Sequence, residues 1–186
     1  MNVWGKAIQL FHWSVEITAP RREKCVICVA PHTSNWDFIL GLAAYKSLGR
    51  EANFLMKEFW FFFPLKYLLK ALGGIPVSSR KHRKGSLTET IIHKFQTSSY
   101  VNLAVTPEGT RSARSEWHTG FLHIAYGACV PIQLGVIDYG SKRIMIKEEY
   151  EPTGDVDTDM AYIKDYYRQF PHAARYPDKF IIDPAS

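Results

Sequence analysis

The stretch Cys25-Val26-Ile27-Cys28-Val29-Ala30-Pro31-His32-Thr33-Ser34-Asn35-Trp36-Asp37 decides how this chain is built. Its first six residues form an unbroken apolar run, rich in β-branched side chains and too short for a helix, which predicts a strand buried on both faces. Pro31 ends the run. Ser34 then precedes Ile39, Leu42, Ala43 and Ala44, apolar positions at helical spacing that fade at Gly49. Strand, polar loop and helix in that order open an α/β layout. Cys25 and Cys28 form a C-x-x-C, but residues three apart on a strand point to opposite faces, which disfavours a metal or redox pair.

Working outward, Trp4, Ala7, Ile8, Phe11 and Val15 share one helical face, so an amphipathic helix is expected to end before Pro20. It either packs on its own domain or lies on a membrane surface. Downstream, Asn53 to Leu72 is dense in aromatic and aliphatic residues, with Lys57, Lys66 and Lys70 interspersed. Trp60 to Phe63 cannot all face inward from one helix, since consecutive residues turn by about 100°. Part of this surface is therefore exposed or covers a hydrophobic ligand; the alternative is that Pro64 divides two short elements that bury the aromatics on different sides.

Gly73 to Val77 reads as a turn into a short extended piece, followed by the cationic cluster Arg80 to Lys84. Ser86 to Gln96 reads as a helix, Val101 to Val105 as a strand, Trp117 to Gly127 as a helix, and Val130 to Ile137 and Arg143 to Ile146 as strands. Glu148 to Asp159 is an acidic stretch in which Asp157 or Thr158 caps a last helix running to Phe170. The expectation is an α/β fold: a single domain with a central mixed, mostly parallel sheet flanked by helices and preceded by the amphipathic helix. The helix falls within residues 1–20 and the domain within 21–186.

Composition narrows the function classes. With 186 residues, 46% hydrophobic and 22% charged, the chain is an ordinary globular one with a real core. Three cysteines are too few for a disulfide framework and fit a reducing cytoplasm. Lys6, His12 and Glu16 interrupt the first segment, and no apolar stretch approaches the roughly 18 to 20 residues of a spanning helix. Residues 1–99 carry 14 Lys and Arg against 6 Asp and Glu, and residues 100–186 carry 9 against 12. Positive charge mixed with large aromatics suits an anionic membrane surface or a nucleic acid. The acidic second half and the lack of any nucleic-acid motif set the second aside.

His32 and Asp37 form an H-x4-D at the junction of strand and helix. A carboxylate that accepts from one ring nitrogen fixes the tautomer and makes the other nitrogen the base. No protein nucleophile accompanies them, which suggests that the substrate brings a hydroxyl, deprotonated as it attacks an activated acyl group. General-base help of this kind is worth typically 10² to 10⁴ in rate. The plainer reading is that Asp37 closes a capping box with Ser34 and His32 is only a loop residue. A second candidate, Thr106-Pro107-Glu108-Gly109-Thr110-Arg111-Ser112, follows a predicted strand. Its backbone N–H groups, hydroxyls and the Arg111 guanidinium suit a phosphate or an oxyanion, unless Glu108 and Arg111 are merely a local ion pair in a turn.

Together and in this order, the two segments resemble the glycerolipid acyltransferase family, which includes lysophosphatidic acid acyltransferases. The family's first motif is an H-x4-D, matched by His32 and Asp37. Its third reads F-P-E-G-T-R-S, matched by Pro107 to Ser112 with Thr106 in place of Phe. The second, G-x-I-x-x-D/N-R, is met imperfectly. From Gly74, Arg80 falls on the arginine with Ser79 before it; from Gly73, which keeps Ile75 in place, Ser79 displaces the arginine. Val130-Pro131-Ile132 meets the weak fourth motif, and the resemblance covers roughly residues 25 to 140.

The resemblance implies an acyltransferase domain over residues 21–186 that moves a fatty acyl group from a thioester, on coenzyme A or acyl carrier protein, to a hydroxyl of a lipid acceptor such as a lysophosphatidate-like glycerolipid. It implies His32 as general base, Asp37 as its orienting partner, and Arg80, Glu108, Gly109, Thr110 and Arg111 as acceptor-binding groups. No metal or redox cofactor is implied, and the expected location is peripheral, on the inner face of a membrane. Two other readings stand beside it: a lipid-binding protein without turnover, and a thioesterase with water as acceptor.

Overall fold

The computed structural model describes residues 2–77, 86–113 and 115–182. Among them the strands are β1 (Ser14–Ile17), β2 (Lys24–Val29), β3 (Asn53–Lys57), β4 (Gly74–Val77), β5 (Val101–Val105), β6 (Ile132–Asp138) and β7 (Arg143–Tyr150). The helices are α1 (Val3–Leu10), α2 (Asn35–Ser47), α3 (Leu65–Ala71), α4 (Leu87–Thr97), α5 (Gly120–Ala128) and α6 (Val156–Arg168). All the strands join one sheet in the order β1-β7-β6-β2-β5-β3-β4. From β6 to β4 every pairing is parallel; β7 runs antiparallel to β6, and β1 parallel to β7. The mixed, mostly parallel sheet of a single α/β domain is the expected one.

β2 lies inside the sheet between β6 and β5, which explains its continuous apolar run: both faces are covered. Val26 and Cys28 join the cluster formed with Ile91 and Phe95 of α4, Leu122 of α5 and Tyr167 of α6. Cys25 and Ile27 face the opposite side, with Tyr45 of α2. The two cysteines therefore belong to different cores, and burial pushes the Cys25 thiol up to about 12. α6 is fastened by Asp159, a fully buried carboxylate that accepts from the hydroxyls of Tyr126, Tyr150 and Thr153.

The N-terminal helix is present but shorter than its apolar spacing predicts. It ends at Leu10, His12 takes a left-handed φ of 59°, and the chain re-enters as β1 beside β7. There Val15 and Ile17 pack against the cores of the α2 face, and the Glu16 carboxylate lies between Arg143 and Lys147 of β7. Of α1 only Gly5 and Ile8 are buried, Ile8 packing with Ala43 and Ala44 of α2.

The aromatic segment resolves into β3, a 3-10 turn at Glu58–Trp60, and α3, divided at Pro64. The division is the one Pro64 suggests, yet Phe59, Trp60, Phe62, Phe63, Tyr67 and Leu68 all remain exposed, Phe59 at 80%. Elsewhere α5 starts at Gly120 and not at Trp117, β7 runs on to Tyr150, and Asp155 caps α6 in place of Asp157 or Thr158. The cluster Arg80 to Lys84, with Ser79, lies outside the described residues. Among the described residues no helix is long and apolar enough to cross a membrane.

Candidate active site

Parallel α/β sheets present ligand-binding loops at the carboxyl ends of their strands. Here three neighbouring strands, β2, β5 and β3, deliver one loop each: Ala30 to Ser34 after β2, Thr106 to Ser112 after β5, and Lys57 at the end of β3. The two sequence candidates, 70 residues apart in the chain from Asp37 to Pro107, meet because β2 and β5 pair directly.

Asp37 Oδ2 lies 3.4 Å from His32 Nδ1. The same oxygen accepts the backbone N–H of Thr33 at 2.8 Å and of Ser34 at 2.7 Å, and Oδ1 accepts the Tyr139 hydroxyl at 2.7 Å. Ser34 caps α2 and Asp37 closes the capping box. The two readings of Asp37 are thus one arrangement: the carboxylate that caps the helix also faces the imidazole. Asp37 is only 2% exposed, and the imidazole is the more accessible partner, at the cavity wall. Burial, with the hydrogen bond to Asp37 behind it, pushes the Tyr139 hydroxyl far above its ordinary range, so it stays a donor.

Glu108 sits behind this loop and not in the cavity. It is 4% exposed, and its Oε2 accepts the His32 backbone N–H at 2.7 Å across 76 residues of sequence. Its other oxygen has no partner among the described residues. Burial pushes the Glu108 carboxyl up to about 7; the His32 N–H opposes that shift and the charge of Asp37 adds to it. The alternative of a local Glu108–Arg111 pair is not seen among the described residues, and Glu108, expected among the acceptor-binding groups, holds the backbone N–H of His32.

Gly109 turns the second loop at φ +64°, and a Cβ there would lie 2.4 Å from His118 Cδ2, so any side chain at this position is strained. Its N–H returns to the Thr106 carbonyl, and Thr110 Oγ1 accepts from the Ser112 N–H. His32, Gly109, Thr110 and Arg111 line one cavity of about 380 Å³, together with Lys57. Arg80 lies outside the described residues. Lys57 and Tyr139 escaped the sequence reading, because neither stands in a motif and each arrives from a strand whose neighbour is unknown until the sheet is ordered.

A histidine facing a buried carboxylate, on a cavity lined by cations, a backbone turn and hydroxyls, is placed where it can exchange a proton with a bound molecule. Residues 14–137 match the Acyltransferase family, and the chain belongs to it. Its fold is similar to that of the 1-acyl-sn-glycerophosphate (LPA) acyltransferase PlsC from Thermotoga maritima, with a TM-score of 0.63 over 89% of this chain and 74% of that one. Sequence identity is 19%, so the likeness is one of fold. No curated protein matches the sequence significantly.

Proposed function

We propose that this acyltransferase moves a fatty acyl group from a thioester, on coenzyme A or acyl carrier protein, to a hydroxyl of a lysophosphatidate-like lipid. The observation that carries the reading is the contact between His32 Nδ1 and Asp37 Oδ2 at the edge of the cavity. Asp37, facing Nδ1, favours the tautomer that keeps its proton there and leaves Nε2 as the base. Nε2 takes the acceptor's hydroxyl proton as the oxygen attacks the thioester carbonyl; the C–O bond forms, the C–S bond breaks, and the imidazolium returns its proton to the departing thiolate. Asp37 faces the imidazolium formed in between.

Lys57, Arg111 and the Gly109 and Thr110 turn face the acceptor's anionic group, with Arg80 as a further cation on the sequence evidence. Glu108 acts through His32, whose backbone it holds. The exposed Phe59, Trp60, Phe62, Phe63, Tyr67 and Leu68, beside Lys57 and Lys66, suit an anionic membrane surface, where the lipid acceptor resides.

Purified protein incubated with a labelled acyl thioester and lysophosphatidate tests the reading. The wild-type protein is expected to form diacylated product. His32→Ala should abolish it with an unchanged thermal midpoint, and Asp37→Asn should lower kcat by roughly 10² to 10⁴. Near-wild-type turnover in His32→Ala would overturn the mechanism. Release of free fatty acid with no acylated lipid would make the protein a thioesterase.

A further inference from the structure

A second cavity, of about 470 Å³, lies against the first, and Arg111 forms a wall of both. Its other cations, Arg175 and Lys179, come from the segment after α6, beyond the 14–137 span of the family match. Among the described residues no carboxylate pairs with Arg111, Arg175 or Lys179. Aromatic rings hold Arg175 and Lys179 instead. The Arg175 guanidinium stands 5.9 Å from the Trp36 ring, 5.8 Å from Tyr139 and 5.6 Å from Tyr176, and Lys179 Nζ lies 4.6 Å from the Tyr176 ring. Positive charges placed by rings keep their electrostatic reach for a bound anion. The Tyr176 N–H also bonds Thr33 Oγ1, which ties this segment to the loop that carries His32.

The volume falls in the range of small-molecule and cofactor sites. An acceptor whose single phosphate meets Arg111 and Lys57 in the first cavity leaves Arg175 and Lys179 without a task. A thioester donor must put its carbonyl beside His32, and its carrier must leave that cavity past some wall. Arg111 is the wall shared with a neighbouring pocket that offers further cations and the half-exposed indole of Trp36.

We infer that the second cavity binds the phosphorylated nucleotide end of a coenzyme A thioester, with Arg175 and Lys179 on its phosphates and Trp36 beside its base. This rests on the acyl-transfer reading and deepens it, favouring a nucleotide carrier over a protein carrier.

Adenosine 3′,5′-bisphosphate, glycerol 3-phosphate and inorganic phosphate are titrated into the full chain by calorimetry at fixed salt. The bisphosphate is expected to bind, and Arg175→Gln and Lys179→Gln should each weaken it about tenfold, the scale of one lost charge-assisted contact. Lys179→Gln disturbs a single ring contact and guards against a folding defect in Arg175→Gln. In turnover, both should raise KM for acyl-CoA while KM for the lipid acceptor stays. Failure of the bisphosphate to bind the wild-type protein, equal binding by both variants, or equal affinity for glycerol 3-phosphate or inorganic phosphate would overturn the assignment. A wild-type protein that binds the bisphosphate through these residues but transfers no acyl group would instead count against the acyl-transfer reading.

Discussion

The Tyr139 hydroxyl, just past the end of β6, donates to Asp37 Oδ1 at 2.7 Å from a position 102 residues further along the chain. With the Thr33 and Ser34 N–H groups on the other oxygen, the carboxylate is held from two directions, and its orientation toward His32 is fixed by the sheet as much as by α2. On the proposed mechanism Tyr139 is a positioning residue. Tyr139→Phe removes a hydrogen bond to a charged group and should lower stability by about 1.5–3 kcal/mol. It should also lower kcat with KM unchanged and displace the acid limb of the pH–rate profile. A stability loss with an unchanged profile would leave Tyr139 a packing residue only.

Glu108 makes stability fall as pH rises. Its folded-state value near 7 lies above the ordinary 4.5, so between those limits the folded chain binds more protons than the unfolded one. Deprotonation on passing through that window therefore destabilises the fold, and the loss is complete about a unit above pH 7. Glu108→Gln removes the titration. Denaturant melts at pH 5 and pH 8 should show a fall in wild-type stability about 2.5 kcal/mol larger than in the variant, the part of the shift that lies in this window converted at 1.36 kcal/mol per unit. Equal falls would refute the assignment.

Gly109→Ala drives a methyl group into the His118 ring at a left-handed φ. Strain of this kind costs on the order of 1–3 kcal/mol. Because the turn lines the cavity, the variant should also raise KM for the lipid acceptor, measured with the acyl thioester saturating. A fully active and stable variant would show that the turn can open without consequence.

The exposed aromatics should bind vesicles. Phe59→Ser with Phe63→Ser removes two side chains that are 80% and 76% exposed, so the fold should be unaffected. Co-sedimentation with vesicles containing anionic phospholipid should fall markedly, while turnover of a soluble short-chain acceptor stays. Undiminished sedimentation would move the membrane contact elsewhere on the molecule.

Some of this was legible in the chain and some was not, for physical reasons. β2 and α2 could be read because their signals are local: an apolar run closed by Pro31, then Ser34 and Asp37 at capping distance. β1 could not, because Phe11 and Val15 continue the spacing of α1 in the sequence while the backbone turns over at His12, and Glu16 is drawn to β7 by charges over 120 residues away. β3 was hidden in the aromatic segment, where the apolar side chains of strand, turn and helix run together. His32, Asp37, Gly109, Thr110 and Arg111 stand in local motifs, so their gathering at one place could be anticipated. The anchoring role of Glu108 and the contributions of Lys57 and Tyr139 depend on which strands are neighbours, and no local pattern records strand order.

The backbone amides of Thr33 and Ser34 hold Asp37 with the same bonds that begin α2. Engineering for heat tolerance would therefore meet a coupled corner here, since any exchange that tightens or loosens the start of this helix also re-aims the imidazole. Screens for hardier variants would do better to work on the opposite layer, around α4 and α5, where packing can change without touching His32 and Asp37.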